Sequence, residues 1–588
     1  MKDINEKTET ILTENLSGFP SFDKPWLKYY SKEIKEAPLP EGSIYEYFLE
    51  RNHGNMNRVA LRYYGRDFTY KTLIANIETA ASAFKALGVK QGDVVSICSP
   101  NLPESITAFY ALNKIGAVAC MLNPMNSEND IIRDMTEVNS KVLVMISNFY
   151  FKFKASLEET DVEKVILISP ANSLPIHLKA AYKYAKKDLT GPLPKNYLPW
   201  KKFMKLADGP VKTVGSASSR AVVLHTGGTT GEPKGVLISN FSFNTMVFQL
   251  IDAANAPGSY QSGPGDVLWP IVPMFYGYGL CAGIHVPLCY GMTVLIIPQP
   301  DVSQVFDIVK KYKPNLIFGI PSYYEAMMNE PRFSELKLDF FKYIVSGGDG
   351  MAEETEKVFN TFLKKRGASV KLTKGYGMTE LTAVASLSMP ECNLPGSIGI
   401  PMCTNNVRIT DPDTGEEKSY NEIGEICFSS PTMMDSYYGN QKETDRIIKT
   451  DENGTRWIHT GDLGLITEDG LLYHKGRLKR IVITYYGSEK TPHKLYPDNI
   501  ENNMLKHPAV LACATISIPH PDLVNVAKSF VILCDGYKPS EKMTKELLKH
   551  CRVLLPEYSI PAEIEYIEDF PRTNVGKVDY RALAGEKD

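Results

Sequence analysis

Short apolar runs alternate with longer amphipathic stretches through the first two-thirds of this chain. Asp93–Cys98, Val142–Ile146 and Val165–Ile168 are brief and rich in β-branched residues, a pattern that predicts buried strands. Between the first two, Glu104–Ala119 places Ile106, Ala108, Phe109 and Leu112 on or near one helical face. Strand followed by helix, repeated, predicts a mostly parallel sheet covered by helices. Ala221–Leu224 is a further short strand. A second series follows, with strands at Thr293–Ile297, Leu316–Phe318 and Tyr343–Val345 and a helix over 352–366. That helix opens on Glu353 and Glu354 and closes on Lys364, Lys365 and Arg366 before Gly367. The helix dipole favours this order of charge.

The pattern then changes. From 400 to 475, Gly, Pro and alternating positions predict an antiparallel or barrel-like piece. Past Lys479, strands at Leu511–Ile518 and Ser529–Leu533 and a helix over 540–554 predict a small α+β unit. The polar first 40 residues, which carry Trp26, Tyr29 and Tyr30, are expected to wrap the main body. The Lys- and Pro-rich stretch 186–202 is expected to be a loop. The expected fold is α/β: a large N-terminal domain, 1–478, of paired parallel β/α subdomains with a barrel-like piece, then a small α+β domain, 479–588.

Composition narrows the function classes. At 588 residues the chain is long enough for several structural units. With 43% hydrophobic and 23% charged residues, it is an ordinary globular sequence. A net charge of -3 gives no basic face for nucleic acid. The ten cysteines are scattered without a Cys-x-x-Cys pair, which fits reduced thiols in a cytoplasmic protein. One apolar run surrounds Lys114, and another, Leu280–Ile297, contains His285, Pro287 and two glycines. Neither is a clean membrane span, so the expectation is a soluble protein with at most peripheral membrane association.

Candidate chemistry begins at His225–Val236, read as HTGGTTGEPKGV. Gly227, Gly228 and Gly231 free the backbone for a concave nest of N–H groups. Thr226, Thr229 and Thr230 add hydroxyls, and Lys234 adds a mobile positive charge. Such a loop suits a polyphosphate. The spacing is not that of a Walker loop, and the apolar Val236–Ile238 that follows reads as strand. Ser346–Gly350 (SGGDG) follows a strand, where glycines let a flat ring approach the backbone. In Gly375–Glu380 (GYGMTE), Gly375, Gly377 and Met378 frame Tyr376, whose ring offers a face to a purine. Thr379 can bond a phosphate, and Glu380 is a hard oxygen ligand for Mg²⁺.

These stretches resemble the motifs of the adenylate-forming superfamily, which includes the AMP-forming acyl-CoA synthetases, peptide-synthetase adenylation domains and luciferases. The loop at 225–236 resembles its phosphate loop, with Gly227 in place of a hydroxyl residue. Ser346–Gly350 is similar to a segment beside the adenine, so Gly348 and Asp349 are expected there, although Asp349 and Gly350 stand where Ala and Pro are usual. Lys374 replaces a common Gln and would either approach the acyl pocket or point outward. Trp457–Asp462 (WIHTGD) resembles the ribose motif and makes Asp462 the expected clamp on the hydroxyls. Gly476–Lys479 (GRLK) resembles the hinge, with Arg477 on the ribose and Lys479 as the pivot of a mobile small domain. Pro571–Lys577 (PRTNVGK) resembles the loop whose lysine, here Lys577, reaches into the main-domain site. Segment 488–495 reads as an insertion where relatives often contact CoA, so no CoA-contacting residue is carried over.

Pro273–Gly279 (PMFYGYG) speaks to the acid. Tyr276 stands where relatives often have His against the acyl group, and Gly279 and Gly347 are expected beside it. No Asp or Glu occurs between Asp266 and Asp301 to hold a substrate ammonium, and an unpaired ammonium would be costly. The resemblance implies an AMP-forming acyl-CoA ligase using ATP, Mg²⁺ and coenzyme A, in which Lys577, Glu380, Lys234 and Thr226 carry the chemistry and Glu380 holds the metal. A medium- or long-chain fatty acid is the favoured substrate and aryl acids come next. The alternative is a ligase that loads an acid onto a separate carrier protein.

Overall fold

A computed structural model describes residues 16–150, 153–154, 157, 159–185, 193–226, 233–253, 262–298, 301–486, 490–573 and 577–585. Two large sheets organise the first 400 residues. One has a parallel body in the order Tyr197–Pro199, Lys164–Ile168, Val142–Ile146, Val94–Cys98, Val118–Leu122 and Arg220–His225. Gly235–Ser239 and Ser436–Tyr437 extend it antiparallel at one edge. The other has a parallel body from Val59–Tyr63 through Thr293–Ile296, Val267–Pro270, Leu316–Gly319 and Tyr343–Ser346 to Leu372–Tyr376. These are the two β/α sets expected from the apolar runs. Central strands such as Val142–Ile146 and Leu316–Gly319 are buried on both faces, which is why they read as unbroken apolar runs.

Helix Pro103–Lys114 is buried at every position. It packs on Val94–Cys98 and Val118–Leu122, and helices Ile44–Arg51 and Tyr70–Ala86 cover it. Its end differs from expectation. The helix stops at Lys114, Gly116 turns at φ +74°, and the strand has begun by Val118. Val118 and Ala119 therefore belong to a strand, and continuous hydrophobicity hid the change of period. Lys114 survives burial because its ammonium pairs with Glu78 at 3.1 Å and donates to Thr213 at 3.2 Å. The Leu280–Ile297 run is likewise core, split between helical turns over Tyr278–Cys289 and the strand Thr293–Ile296. Among the described residues no helix is long and apolar enough to cross a membrane.

The antiparallel piece is an open five-stranded sheet rather than a closed barrel. Strand Arg456–Ile466 pairs with Gly424–Ser429 on one side. Its other side is shared, with Ile448–Thr450 near one end and Leu472–Arg477 near the other, so the edge divides instead of closing. Within the expected 186–202 loop, Tyr197–Pro199 adds a strand to the first sheet and Trp200–Met204 starts a short helix, while 186–192 lie outside the described residues.

The chain beyond Arg480 begins with a hairpin, Val482–Tyr486 paired with Thr491–Leu495, which accounts for the described part of the insertion. Strands Val510–His520, Val524–Leu533 and Glu563–Tyr566 then pack with helices Pro497–Met504 and Glu541–Leu554. Leu495, Ile500, Met504, Val531 and Leu547 form a core of their own there.

Candidate active site

Thr226, Gly347–Asp349 and Gly375–Glu380 lie at or just past the ends of parallel strands, the place where open α/β sheets bind ligands. Thr226 follows strand Arg220–His225. Its N–H donates to the Lys234 carbonyl at 3.0 Å, and its hydroxyl accepts from the Lys234 N–H at 3.1 Å. This closes the base of the glycine loop, whose Gly227, Gly228, Thr229, Thr230 and Gly231 lie outside the described residues. The strand expected after the loop is Gly235–Ser239. The Lys234 ammonium pairs with Glu443 and sits 5.0 Å from the centre of the Tyr437 ring.

Glu380 lies beside that ring. It is buried, and the Tyr437 hydroxyl donates to its Oε1 at 2.7 Å. Burial pushes its carboxyl above the usual range, against the pull of the Tyr437 hydroxyl. Met378 and Thr379 form the turn just before it, held by the Leu381 N–H on the Met378 carbonyl at 3.1 Å. Gly377 is dictated by packing, because a Cβ there would stand 1.7 Å from the Ala383 carbonyl oxygen.

A second cluster forms around Asp462. The Tyr376 hydroxyl donates to its Oδ2 at 2.7 Å, and Arg477 Nε approaches its Oδ1 at 3.0 Å. His474 Nε2 lies 3.6 Å from the same oxygen. Burial opposes the charge, yet His474, Arg477 and Tyr376 together hold the carboxyl below the usual carboxylate range. Asp462 also fixes its neighbour, lifting the Arg477 guanidinium further. The Tyr376 ring stacks on Phe428, with centroids 6.2 Å apart. The turn that presents Asp462 is clamped from behind. Glu425 accepts the Gly461 N–H on Oε1 at 2.9 Å and contacts His459 Nδ1 through Oε2 at 2.7 Å.

Gly347, Gly348 and Asp349 leave strand Tyr343–Ser346. The Gly347 N–H donates to the Gly319 carbonyl at 3.1 Å, and Gly348 turns at φ +79°. Gly375, on the neighbouring strand, would crowd any side chain at Gly347, since its carbonyl oxygen lies 3.1 Å from a Cβ placed there. Lys577 is half-buried near this edge. Burial draws its ammonium below the usual lysine range, against the field of Asp349 and Asp462. Lys577 thus lies within electrostatic reach of the two groups expected at the nucleotide. Arg480 fastens the turn Leu478–Arg480 to that domain, pairing with Asp498 and with Glu501 at 2.6 Å and stacking on Tyr580. Lys479 lies on the same turn. Burial lowers its ammonium, and Arg446 and Lys234 lower it further.

Tyr276 accepts from Asn123 Nδ2 at 3.1 Å, which ties it to the end of strand Val118–Leu122. A Cβ at Gly279 would stand 2.0 Å from the Pro273 carbonyl oxygen, so its smallness is required by the backbone. Tyr278, two residues past Tyr276, lines an apolar cavity together with Ala282, Val286, Phe318, Val345 and Leu387. Among the described residues no charged side chain lines it. The Tyr278 ring also reaches within 3.6 Å of a Cβ placed on Gly347, so cavity and nucleotide edge adjoin. Lys374 takes neither expected place. It is buried, pairs with Glu356 and donates to the Leu394 carbonyl at 3.1 Å.

The profile of the AMP-binding enzyme family matches residues 48–438, and that of the AMP-binding enzyme C-terminal domain matches 499–577. The chain belongs to the AMP-binding enzyme family. A long-chain-fatty-acid–CoA ligase of Bacillus subtilis is 27% identical, covering 96% of this chain and 98% of its own. A 4-coumarate–CoA ligase of Petroselinum crispum is also 27% identical, covering 89% and 90%. Among solved structures, an anthranilate CoA ligase in complex with anthranoyl-AMP superposes with a TM-score of 0.79 at 20% identity, covering 94% of this chain and 98% of its own. The o-succinylbenzoate CoA synthetase of Bacillus subtilis gives 0.73 at 22% identity, covering 93% and 98%. The adenylate-forming fold and the ligase class read from the motifs are thus met.

Around the expected groups of this AMP-binding enzyme lie residues that its motifs did not reveal. Tyr437, Glu443, His474 and Glu425 surround the expected groups, yet in sequence each is an unremarkable polar position outside the motifs. Only Glu425 carried a trace, as the acid between Gly424 and the apolar Ile426–Phe428 strand.

Proposed function

We propose that this acid–CoA ligase activates a carboxylic acid with an extended apolar tail, a medium- or long-chain fatty acid, using ATP and Mg²⁺. The observation that carries the reading is the uncharged cavity beneath Tyr278, which adjoins Gly347. A hydrocarbon tail needs such a space, and a charged or amino-bearing tail would lie there unpaired.

In the first half-reaction the substrate carboxylate attacks the α-phosphorus of ATP. A P–O bond forms, the bond to pyrophosphate breaks, and acyl-AMP results. Thr226 and Lys234 face the departing phosphates, and Lys577 offsets negative charge as it builds at the α-phosphoryl group. Tyr376 supplies a ring face to the adenine beside Gly348 and Asp349, while Asp462 and Arg477 hold the ribose. Glu380 fits a hard cation, since it offers a buried carboxylate beside the Tyr437 hydroxyl. Mg²⁺ held by Glu380 would neutralise part of the charge on the phosphates.

In the second half-reaction the CoA sulfur attacks the acyl carbon. The thioester bond forms, AMP leaves and the thiol proton passes to solvent. We place the domain boundary at 478/479, where the C-terminal core separates from the rest, and assign Lys479 as the pivot that swings Lys577 away between the steps. Fatty acids of graded length, aryl acids and amino acids, scored by pyrophosphate release with and without CoA, test the reading. Release should follow apolar chain length and rise with CoA. Preference for aryl or amino acids would overturn the assigned acid class, and release with a carrier protein but not with CoA would overturn the acceptor.

A further inference from the structure

One cluster of ligating side chains lies outside the nucleotide site. His225 ends the strand that feeds the glycine loop, and its side chain is 8% exposed. Its Nδ1 faces the Met121 carbonyl oxygen at 3.4 Å. With the proton assigned there, Nδ1–H donates and the lone pair resides on Nε2. Among the described residues that buried nitrogen has no hydrogen-bond partner, and it points toward Asp134 Oδ2, 3.9 Å away. Asp134 and Glu137 lie three residues apart on helix Glu128–Glu137, so they share a face. Arg133 occupies the other carboxylate oxygen of Asp134, with Nη2 at 2.9 Å from Oδ1. The donor atoms of His225, Asp134 and Glu137 all fall within 4.8 Å of one another. Glu137 is exposed, which opens the cluster to solvent on one side.

A lone pair facing two carboxylates is unfavourable unless something positive sits between them. We propose that His225 Nε2, Asp134 and Glu137 bind a divalent transition metal of the Zn²⁺ or Mn²⁺ class. One imidazole with two carboxylates suits these ions, whereas Ca²⁺ and Mg²⁺ favour oxygen-only shells. The Nδ1–H donated to a backbone carbonyl is the usual outer support of a metal-bound imidazole. The ion would tie helix Glu128–Glu137 to the last residue before Thr226 and steady the base of the glycine loop without touching the reacting atoms.

Full-length protein, metal-stripped and free of nucleotide, would be dialysed separately against Zn²⁺, Mn²⁺ and Co²⁺ and assayed for bound metal per chain, with the Co²⁺ absorption spectrum as a report on the ligands. One equivalent is expected, lost in His225→Gln and weakened at least about tenfold in Glu137→Gln. Cys427→Ser should leave binding intact, which separates this site from the Glu425–Cys427–His459 group. Glu137 is at the surface, so its variant remains a test if His225→Gln fails to fold. Absence of stoichiometric metal would overturn the proposal and leave a proton as the occupant of the gap. Unchanged binding in Glu137→Gln, or loss only in Cys427→Ser, would overturn it equally.

Discussion

Asp462 and Arg477 stand directly opposite each other in the antiparallel pair formed by Arg456–Ile466 and Leu472–Arg477, with Nε 3.0 Å from Oδ1. Two motifs fifteen positions apart thus become one charged unit through strand register alone. The same carboxylate takes the Tyr376 hydroxyl on its other oxygen, so three expected nucleotide contacts share a single anchor.

Asp462→Asn keeps the shape of that anchor and removes its charge. A hydrogen bond to a charged group contributes about 1.5–3 kcal/mol. The variant should lose roughly ten- to a hundredfold in kcat/KM for ATP, and its discrimination between ATP and 2′-deoxy-ATP should shrink. Full retention of that discrimination would remove Asp462 from the ribose.

Lys577→Ala should separate the half-reactions. Removing one positioned charge from a developing oxyanion costs about 10²–10³ in rate. Adenylate formation, followed by exchange of labelled pyrophosphate into ATP, should fall by that factor, while thioester formation from supplied acyl-AMP stays within a few-fold. Equal loss in both assays would contradict the assigned role.

The Tyr437 hydroxyl sets the pH response of Glu380. Burial raises that carboxyl, and Tyr437 pulls it back. Because the ionised form is the proposed metal ligand, activity falls as pH drops through this pKa. Tyr437→Phe removes the opposing pull, so the proton is held to higher pH. The acid limb of the pyrophosphate-exchange profile should move upward in pH, and an unmoved or lowered limb would disconnect Glu380 from the reaction.

Chain length should be governed by the wall of the cavity. Ala282 lies on that wall, so Ala282→Phe fills part of the space. Each buried methylene contributes about 0.8 kcal/mol, close to fourfold in affinity. The longest accepted acids should lose activity steeply while the shortest are unaffected, as read from kcat/KM across a homologous series. A uniform loss at every length would show that the tail binds elsewhere.

Lys374 and Glu356 form a buried ion pair between strand Leu372–Tyr376 and helix Glu353–Lys365. Breaking such a pair from one side leaves a buried charge and costs about 3–5 kcal/mol. Lys374→Met should therefore lower the denaturant midpoint sharply, and Lys374→Met with Glu356→Leu should recover most of the loss. No recovery in the double variant would mean that the pair itself supplies the stability.

Much of the fold was legible because the two sheets bury their central strands on both faces, and strands so placed must be apolar throughout. The same feature concealed the end of helix Pro103–Lys114, where core helix and core strand are equally apolar and Gly116 alone marks the turn. Lys374 shows a second kind of failure. A lysine read alone points to solvent or ligand, and its burial depends on Glu356, eighteen positions away in sequence and on a different element.

By itself the sequence determined the nucleotide chemistry, because glycine spacing, hydroxyls and named charges are local and short motifs carry them whole. It also determined the strand and helix order, through the periods of its apolar residues. Tertiary structure alone decided which charges meet. Tyr437 came to Glu380, Glu443 to Lys234, His474 to Asp462 and the uncharged cavity to Gly347 by packing elements remote in the chain. Such meetings leave no mark on any one stretch of residues, since the energy of a buried polar group depends on the partner that the fold brings to it.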